Sequence, residues 1–271
     1  MPELPEVETT VRGLTPVLAG QRLASVEPRR ADLRKAIPVD LRQRLTGATV
    51  TALGRRAKYG LIGTDRGDTL IFHLGMSGRW RLNPGTIEPH DHLLIATAAG
   101  RSLALNDPRR FGFLDLVRTD ALDAYPPFAA MGPEPLGPAL TGAYLLAALG
   151  RRTAPIKAML LDQRIVAGLG NIYVCEALHR ARIAPSRAAG RIALPRLERL
   201  ADAIKAVLQE AIAAGGSSLR DFAHPDGALG YFSKQFLVYG REGGACACGG
   251  PVRRRVEAGR STFWCPRCQR G

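Results

Sequence analysis

Residues 126–138, PPFAAMGPEPLGP, separate two parts of this chain that differ in their sequence pattern. The stretch contains five prolines and two glycines, and neither a helix nor a central strand tolerates that composition. We therefore place a domain boundary here. On its N-terminal side, between about residues 22 and 117, short apolar runs are broken by glycine, aspartate and proline; examples are 48–53, 69–74 and 92–96. Such runs, with turn residues between them, predict an antiparallel sandwich or barrel.

Helices are predicted on both sides of these strands. Near the N-terminus, apolar residues recur at spacings of four, three and four and a glycine follows, which is typical of one buried helix face and its end: Val7, Val11, Leu14, Leu18 and Gly20. Beyond the boundary the helical stretches are 141–150, 154–164, 171–182 and the amphipathic 194–214.

The fold class predicted from these patterns is α+β. Residues 1–130 are expected to form an N-terminal antiparallel β-sandwich with a flanking N-terminal helix. Residues 131–239 are expected to form a helical domain, and residues 240–271 a small tail that carries most of the cysteines.

The net charge indicates a polyanionic partner. The 271 residues include 38 basic and 24 acidic side chains, a formal charge of +14, and nucleic acid is the commonest polyanion. Hydrophobic residues make up 46% of the chain, which excludes disorder. No apolar run approaches the roughly 18 residues that a membrane span needs. The acidic N-terminus is unlike a signal peptide, so we expect a reducing cytoplasm as the compartment.

Four of the five cysteines predict a metal site in the tail. They are Cys246, Cys248, Cys265 and Cys268. The second pair has the C-x-x-C spacing that brings two thiolates to one tetrahedral Zn²⁺, and the 16 residues between the pairs suit a β-hairpin that returns to the metal. The first pair, C-x-C, is one residue shorter than the usual knuckle. The alternative, two disulfides, is disfavoured in a reducing compartment.

The hairpin between the cysteine pairs is rich in arginine. Arg253, Arg254, Arg255 and Arg260 lie on it, with Gly259 at its expected turn. A hairpin pinned by a metal and presenting guanidinium groups is suited to binding phosphate.

The first residues suggest covalent chemistry. Removal of Met1 would leave Pro2 with a free secondary amine, and an N-terminal amine is uncharged to a larger extent near neutral pH than a lysine. Attack of such an amine on an aldehyde carbon gives an iminium, which withdraws electrons strongly. Glu3 is placed to give or take protons. Taken alone, a Met-Pro start is weak evidence, because many proteins begin this way without such a role.

Several motifs together resemble the formamidopyrimidine-DNA glycosylase family, bacterial base-excision enzymes of the helix–two-turn–helix superfamily. They are PELPEVETTVRGL (residues 2–14), Lys58, LDQRIVAGLGNIYVCEAL (161–178) and the cysteine tail. The resemblance runs from residue 2 to residue 269. It implies that 131–239 is a helix–two-turn–helix DNA-binding domain whose stretch 215–239 includes a mobile loop over an extruded base, and that 240–271 is a zinc finger.

The resemblance also implies an activity and its catalytic residues. The family excises oxidised purines, such as 8-oxoguanine and formamidopyrimidines, from duplex DNA and then cleaves the abasic strand. Pro2 would attack C1′ of the damaged nucleotide, and Glu3 would assist opening of the sugar ring. Lys58 would be the proton donor for β-elimination, and Arg260 would serve δ-elimination and hold a phosphate. The alternative for Lys58 is a solvated loop cation.

The resemblance also implies a set of residues that contact DNA. They are Met76, His90, Arg109, Phe111, Arg152, Lys157 and Asn171. Met76, Arg109 and Phe111 would fill the hole left by the flipped base, although core packing is an equal alternative for Met76 and Phe111. The glycine turn 168–170 leads into a helix N-terminus that suits a phosphate, or is an ordinary capped connection. His90-Asp91-His92 lacks a third nearby metal ligand.

Two other functions stay open from the sequence. A non-catalytic zinc-ribbon nucleic-acid-binding protein would explain the charge and the cysteines but not Pro2-Glu3. The pyrimidine-preferring endonuclease VIII branch usually opens with PEGPE, and Leu4 argues against it. We expect a monomer that acts on duplex DNA and is associated with the nucleoid.

Overall fold

The computed structural model describes residues 2–218 and 223–270, and its contacts divide the chain into two units. The first comprises Met1–Ala129 and Ala214–Ser233, and the second comprises Ala130–Ala213 and Lys234–Gly271. Met1 and residues 219–222, part of the predicted base-capping loop, lie outside the described residues. No helix within the described ranges is long and apolar enough to cross a membrane.

The first unit is built around two antiparallel sheets. Its strands are β1 (Leu23–Pro28), β2 (Val50–Arg56), β3 (Tyr59–Thr64), β4 (Asp68–His73), β5 (Arg79–Leu82), β6 (Asp91–Thr97), β7 (Ser102–Asn106) and β8 (Phe113–Arg118). The order is β1-β6-β7-β5 in one sheet and β2-β3-β4-β8 in the other, and all neighbours pair antiparallel. This confirms the predicted antiparallel sandwich.

Helix α1 (Leu4–Leu18) closes the core of this unit. The predicted buried face is confirmed, since Val7, Val11, Leu14 and Leu18 are all 6% exposed or less. They share one core with the sheet residues Phe72 and Trp80, whose rings meet edge to face at 5.5 Å. A five-residue helix, α2 (Leu41–Leu45), adds its two leucines to the same core.

The proline-rich stretch is partly helical, against our expectation. Pro126–Ala129 forms one helical turn, α3. A helix leaves its first N–H groups without intrahelical partners, so prolines at its start remove nothing that the turn needs. The division between the two units, after Ala129, falls inside this stretch.

The second unit is helical and ends in a hairpin. Its helices are α4 (Gly142–Leu149), α5 (Ile156–Leu161), α6 (Asn171–Arg180) and α7 (Leu194–Ala213), followed by β9 (Arg253–Glu257) and β10 (Arg260–Trp264). The predicted helices are confirmed, but α5 ends three residues early. Asp162 is extended there, and its carboxylate accepts the N–H of Arg164 at 3.0 Å, which favours a turn over another helical residue.

A glycine in β3 leaves room for the ring of Phe72, which lies opposite it on the neighbouring strand β4 of the same sheet. A Cβ placed on Gly60 would lie 2.0 Å from Cζ of Phe72, whereas a Cβ on Gly54 in β2 would meet nothing within 4 Å. We expect Gly60→Ala to lower the free energy of unfolding by about 1–3 kcal/mol through overpacking. Gly54→Ala, the matched control, should unfold near the wild-type midpoint in urea. Equal midpoints for the two variants would contradict this packing.

Candidate functional site

The start of α1 is fixed by a buried carboxylate. Pro2 and Glu3 are buried, and Glu6 is 2% exposed. Oε2 of Glu6 accepts the N–H of Glu3 at 2.8 Å, and its Oε1 accepts the N–H of Ser217 at 2.8 Å. The backbone next to Pro2 is therefore held in place and tied to a segment far along the chain. Sequence reasoning missed Glu6, although its position three residues after a helix-capping residue was an available signal.

Lys58 lies in the tight turn between β2 and β3. It is 8% exposed, so the interpretation as a solvated loop cation is wrong. Arg55 holds this turn against α1: its Nε donates to Oε2 of Glu8 at 3.1 Å, and its Nη1 donates to the carbonyl of Ala57 at 2.9 Å. The lysine is thus carried by a turn with a defined position, not by a free loop.

His73 is a buried histidine that sequence reasoning did not single out. It ends β4, and its Nδ1 accepts the N–H of Gly75 at 3.0 Å. Its ring stacks on Phe113 with centroids 5.4 Å apart. Burial, and next the positive charge of Lys58, lower the pKa of His73 to about 4. The imidazole is therefore neutral at neutral pH and places an uncharged ring beside the Lys58 turn.

A second buried carboxylate joins the turn 74–78 to the loop 107–112. Asp107 is 1% exposed, and its carboxylate accepts the hydroxyl of Ser77 at 2.6 Å and the N–H of Gly112 at 2.8 Å. The Ser77 hydroxyl in turn accepts the N–H of Arg109 at 3.2 Å. These bonds set the two loops that carry the predicted hole-filling residues against each other. Asp107 was not predicted as a site residue.

The side chains carried by these loops are available to a ligand. Phe111 is 43% exposed, so the core-packing alternative is wrong for it. The Arg109 guanidinium lies over its ring, 5.1 Å from the centroid, and Met76 is half-buried. His90 and Arg152, two further predicted DNA contacts, are exposed.

The histidine pair at the start of β6 does not form a metal site. His92 is buried, and its Nε2 lies 2.9 Å from the carbonyl oxygen of Asp107. His90 points a separate ring to the surface, 6.2 Å from the His92 centroid. Among the described residues, the side chains grouped closely enough to hold a metal ion are the four tail cysteines.

Two predicted phosphate-binding residues of the second unit contact the hairpin. Lys157 is 3% exposed, and its Nζ donates to the carbonyl of Ser261 at 3.1 Å and to Oγ1 of Thr262 at 2.7 Å. Nδ2 of Asn171, the first residue of α6, donates to the same Ser261 carbonyl at 2.8 Å. These donors hold the strand beside Arg260, and a direct phosphate contact for either residue stays a prediction.

Arg260 begins β10 directly after the hairpin turn. Ala258 and Gly259 have φ of 47° and 72°, as a two-residue turn between twisted strands requires, which confirms Gly259 at the turn. Arg260 is exposed, and its guanidinium makes no ion pair or hydrogen bond within the part of the chain that the structure describes. A cavity of about 540 Å³ beside it is bounded by α5 and the hairpin.

Two of the three neighbouring arginines of the predicted clamp are already engaged. Arg254 donates from Nε to Oγ of Ser261 at 3.0 Å. Arg255 pairs with Glu257 at 2.6 Å, and its guanidinium lies 4.9 Å from the centroid of the Trp264 ring. These contacts stiffen the hairpin, and Arg260 is an exposed cation directly after its turn.

The tail cysteines fit one zinc ion. Their four Sγ atoms all lie within 4.8 Å of one another, with Cys246 and Cys268 at 3.8 Å and Cys248 and Cys265 at 3.5 Å. A tetrahedron with Zn–S bonds of about 2.3 Å has edges of about 3.8 Å. The sulfurs are too far apart for disulfides, which need about 2.05 Å.

The pKa values of the clustered thiols also favour a bound cation. Burial raises the pKa of the Cys246 and Cys268 thiols, so each alone resists ionisation. The N–H of Gly250 lowers the pKa of Cys248 to about 7. A divalent ion compensates the charge of the thiolates and holds them deprotonated.

A third buried carboxylate anchors the segment that enters the zinc ribbon. Glu176, in the middle of α6, has no exposed surface. It accepts the backbone N–H groups of Leu237, Val238 and Tyr239 at 2.9, 3.0 and 2.9 Å. Sequence reasoning treated this residue only as part of the LDQRIVAGLGNIYVCEAL motif.

Comparison with known proteins accounts for nearly the whole chain. Three family models match it: the formamidopyrimidine-DNA glycosylase N-terminal domain over residues 1–114, the formamidopyrimidine-DNA glycosylase H2TH domain over 131–223, and the zinc finger found in FPG and IleRS over 247–271. A formamidopyrimidine-DNA glycosylase of Rhizorhabdus wittichii is 69% identical over 270 residues, with 100% of each chain covered.

Solved structures of one relative are similar over the full length. A Lactococcus lactis FPG mutant in complex with DNA containing Fapy-dG has a TM-score of 0.92 at 36% identity. The Lactococcus lactis Fpg with DNA containing an abasic site has a TM-score of 0.91 at 36% identity. Each comparison covers 100% of both chains.

The zinc site leads to a test of metal content. Cys265→Ser removes one of the four thiolates, and we expect the bound zinc, measured by atomic emission, to fall from one ion per chain to well below one. Cys175→Ala is the matched control, because Cys175 is a buried thiol of α6 outside the four-sulfur cluster. It should keep one zinc ion. Full zinc content in Cys265→Ser would contradict a four-cysteine site.

The neutral His73 leads to a pH dependence of stability. Its pKa is about 4 in the folded protein against an ordinary value of 6.5, so the unfolded chain binds the extra proton and stability falls as the pH drops from about 6.5 towards 4. The loss attributable to this group approaches about 3 kcal/mol. His73→Asn keeps an acceptor for Gly75 without titrating, so its free energy of unfolding should decline less over this window. Parallel pH profiles for the two proteins would refute this assignment.

Proposed function

The chain belongs to the formamidopyrimidine-DNA glycosylase family, and on that premise we propose that it is a DNA repair glycosylase and abasic-site lyase that excises oxidised purines from duplex DNA. The observation that carries the proposal is the buried Pro2-Glu3 start, whose backbone Glu6 holds in place. The relatives whose structures contain Fapy-dG or abasic DNA support the choice of substrate.

Base excision begins with attack by the amine of Pro2. Its nitrogen forms a bond to C1′ of the damaged nucleotide, and the bond between C1′ and the base breaks with the electron pair leaving on the base. The nitrogen then loses its proton. Opening of the sugar breaks the bond between C1′ and O4′, with Glu3 delivering a proton to O4′. The product is an iminium between the N-terminus and C1′.

Strand cleavage follows from the iminium. Its positive charge acidifies the C2′ hydrogen, so loss of that proton expels the 3′ phosphate by β-elimination. A second, δ-elimination expels the 5′ phosphate and leaves a one-nucleotide gap with phosphates on both sides. We assign proton donation in the first elimination to Lys58, in its fixed turn, and the second elimination, with grip on a phosphate, to Arg260.

DNA would bind to the exposed cations and to the two loops that Asp107 joins, residues 74–78 and 107–112. An enzyme that acts on a stacked base must extrude it and occupy the hole. Phe111, Arg109 and Met76 are suited to that role, because an apolar wedge and a planar cation replace the lost stacking. The net charge of +14 adds attraction to the backbone without sequence preference. We further propose that the protein acts as a monomer in the cytoplasm, at the nucleoid.

The decisive experiment is borohydride trapping on a duplex that contains 8-oxoguanine opposite cytosine. With Met1 removed, reduction should give one covalent adduct, and mass spectrometry should place it on Pro2. A preparation that retains Met1 has an amide nitrogen at Pro2 and should bind the duplex without forming the adduct. Absence of the adduct in the processed protein, or its location on a lysine, would overturn the assignment.

The role of Lys58 is separable from that of Pro2. Lys58→Gln should keep base release and trapping while slowing strand cleavage by about 10²-fold or more, as expected when a general acid is lost. Lys205→Gln, on α7, is the matched control for the loss of one positive charge and should cleave at the wild-type rate. If both variants cleave equally fast, Lys58 does not donate the proton.

A further inference from the structure

His179 lies beside the zinc site without being one of its four cysteines. It is the penultimate residue of α6, and its Nε2 is 3.2 Å from Sγ of Cys246 and 3.6 Å from Sγ of Cys268. Both distances are within the range of an N–H to sulfur hydrogen bond. One edge of the sulfur tetrahedron therefore faces an imidazole nitrogen.

The environment of the ring decides which nitrogen carries the proton. Nδ1 of His179 is buried and has no hydrogen-bond partner among the described residues. A proton on Nδ1 would leave a buried donor unsatisfied and would turn the Nε2 lone pair towards the sulfur lone pairs. A proton on Nε2 instead gives the thiolate a donor and leaves only an acceptor unpaired, which costs less. We therefore place the proton on Nε2.

The geometry makes His179 a neighbour of the coordination sphere. The set of ligand atoms that lie within 4.8 Å of one another consists of the four cysteine sulfurs and does not include His179. Four thiolates already complete the tetrahedron of a structural zinc site. Their four negative charges against two positive ones leave the site with a net charge of −2, so donors directed at the sulfurs are stabilising.

We propose that His179 is a positioning residue of the zinc site: its Nε2–H donates to the Cys246 thiolate, with Cys268 as a second acceptor, and retains the metal in a ribbon whose first knuckle is one residue short. The C-x-C pair encloses only Ala247. Cys248 receives the backbone N–H of Gly250, and His179 adds a side-chain donor at Cys246.

This contact completes a series along one helix. At the start of α6, Asn171 holds Ser261 of the hairpin. In the middle, Glu176 holds residues 237–239. At the end, His179 reaches the sulfur of Cys246. The helix thereby contacts the ribbon near both of its ends and the segment that enters the ribbon in its middle, and the contact of His179 reaches the cysteine cluster.

The test measures zinc retention in the full chain, without DNA. His179→Phe keeps a ring but removes the donor, and a chromogenic chelator should extract its zinc about tenfold faster, as is typical when a partner of a metal ligand is lost. His179→Gln keeps an N–H donor and should recover part of the difference. Arg180→Gln, which breaks the neighbouring ion pair with Glu210 at 2.7 Å, should release zinc at the wild-type rate.

Cobalt substitution distinguishes a hydrogen bond from a merely structural effect. In His179→Phe the thiolate-to-cobalt absorption should keep the intensity of four thiolates but shift in energy, because the donor on the sulfur is gone. Wild-type zinc release in His179→Phe would overturn the proposal. A wild-type cobalt spectrum that shows a nitrogen ligand, when the spectrum of His179→Phe lacks it, would also overturn the proposal, because His179 would then be a ligand. Neither readout depends on glycosylase activity, so this test and the trapping experiment fail independently.

Discussion

A carboxylate is stable in a protein interior only where hydrogen-bond donors replace its water, and this requirement positions the segments around the candidate site. Glu6, Asp107 and Glu176 are each 2% exposed or less. Glu6 and Glu176 accept backbone N–H groups of segments far along the chain, those of Ser217 and of residues 237–239. Asp107 accepts the nearby N–H of Gly112 and the distant hydroxyl of Ser77. Each carboxylate therefore holds a neighbouring segment in place through hydrogen bonds made in the interior. The candidate chemistry at Pro2 and the loops for base extrusion both depend on this arrangement.

The hairpin that carries Arg260 is also held in place by residues from elsewhere in the chain. A two-stranded ribbon is marginal by itself in water, and a single exposed arginine at its turn would be poorly placed without further support. Lys157 and Asn171 hold Ser261, and the four cysteines bind the ribbon ends to one metal ion. The four-cysteine site therefore supports the position of the hairpin. The ammonium group of the buried Lys157 donates its hydrogen bonds to the hairpin within the protein itself.

Several elements were predictable because they depend on local pattern. The apolar spacing of α1 and α7, the alternation of strands and turns, and the cysteine spacing each follow from short-range geometry. The prediction for the proline-rich stretch was wrong because a rule for helix interiors was applied to the first turn of a helix. Prolines exclude a helix interior but not its first turn, which is why α3 was missed. A solvated loop cation stayed open as the alternative for Lys58, yet the structure buries Lys58, and burial is not visible in a local sequence pattern.

Residue types and their spacing along the chain were enough to predict the fold class, the family and the residues that carry reactive groups. The surroundings of each group became visible only in the folded chain. Burial beside Lys58 keeps His73 neutral, contacts with Ser261 give Lys157 and Asn171 a supporting role, and the end of α6 brings His179 to Cys246. The physical reason is the same in each case: pKa, exposure and hydrogen bonding are set by neighbours in space, and those neighbours are distant in the chain.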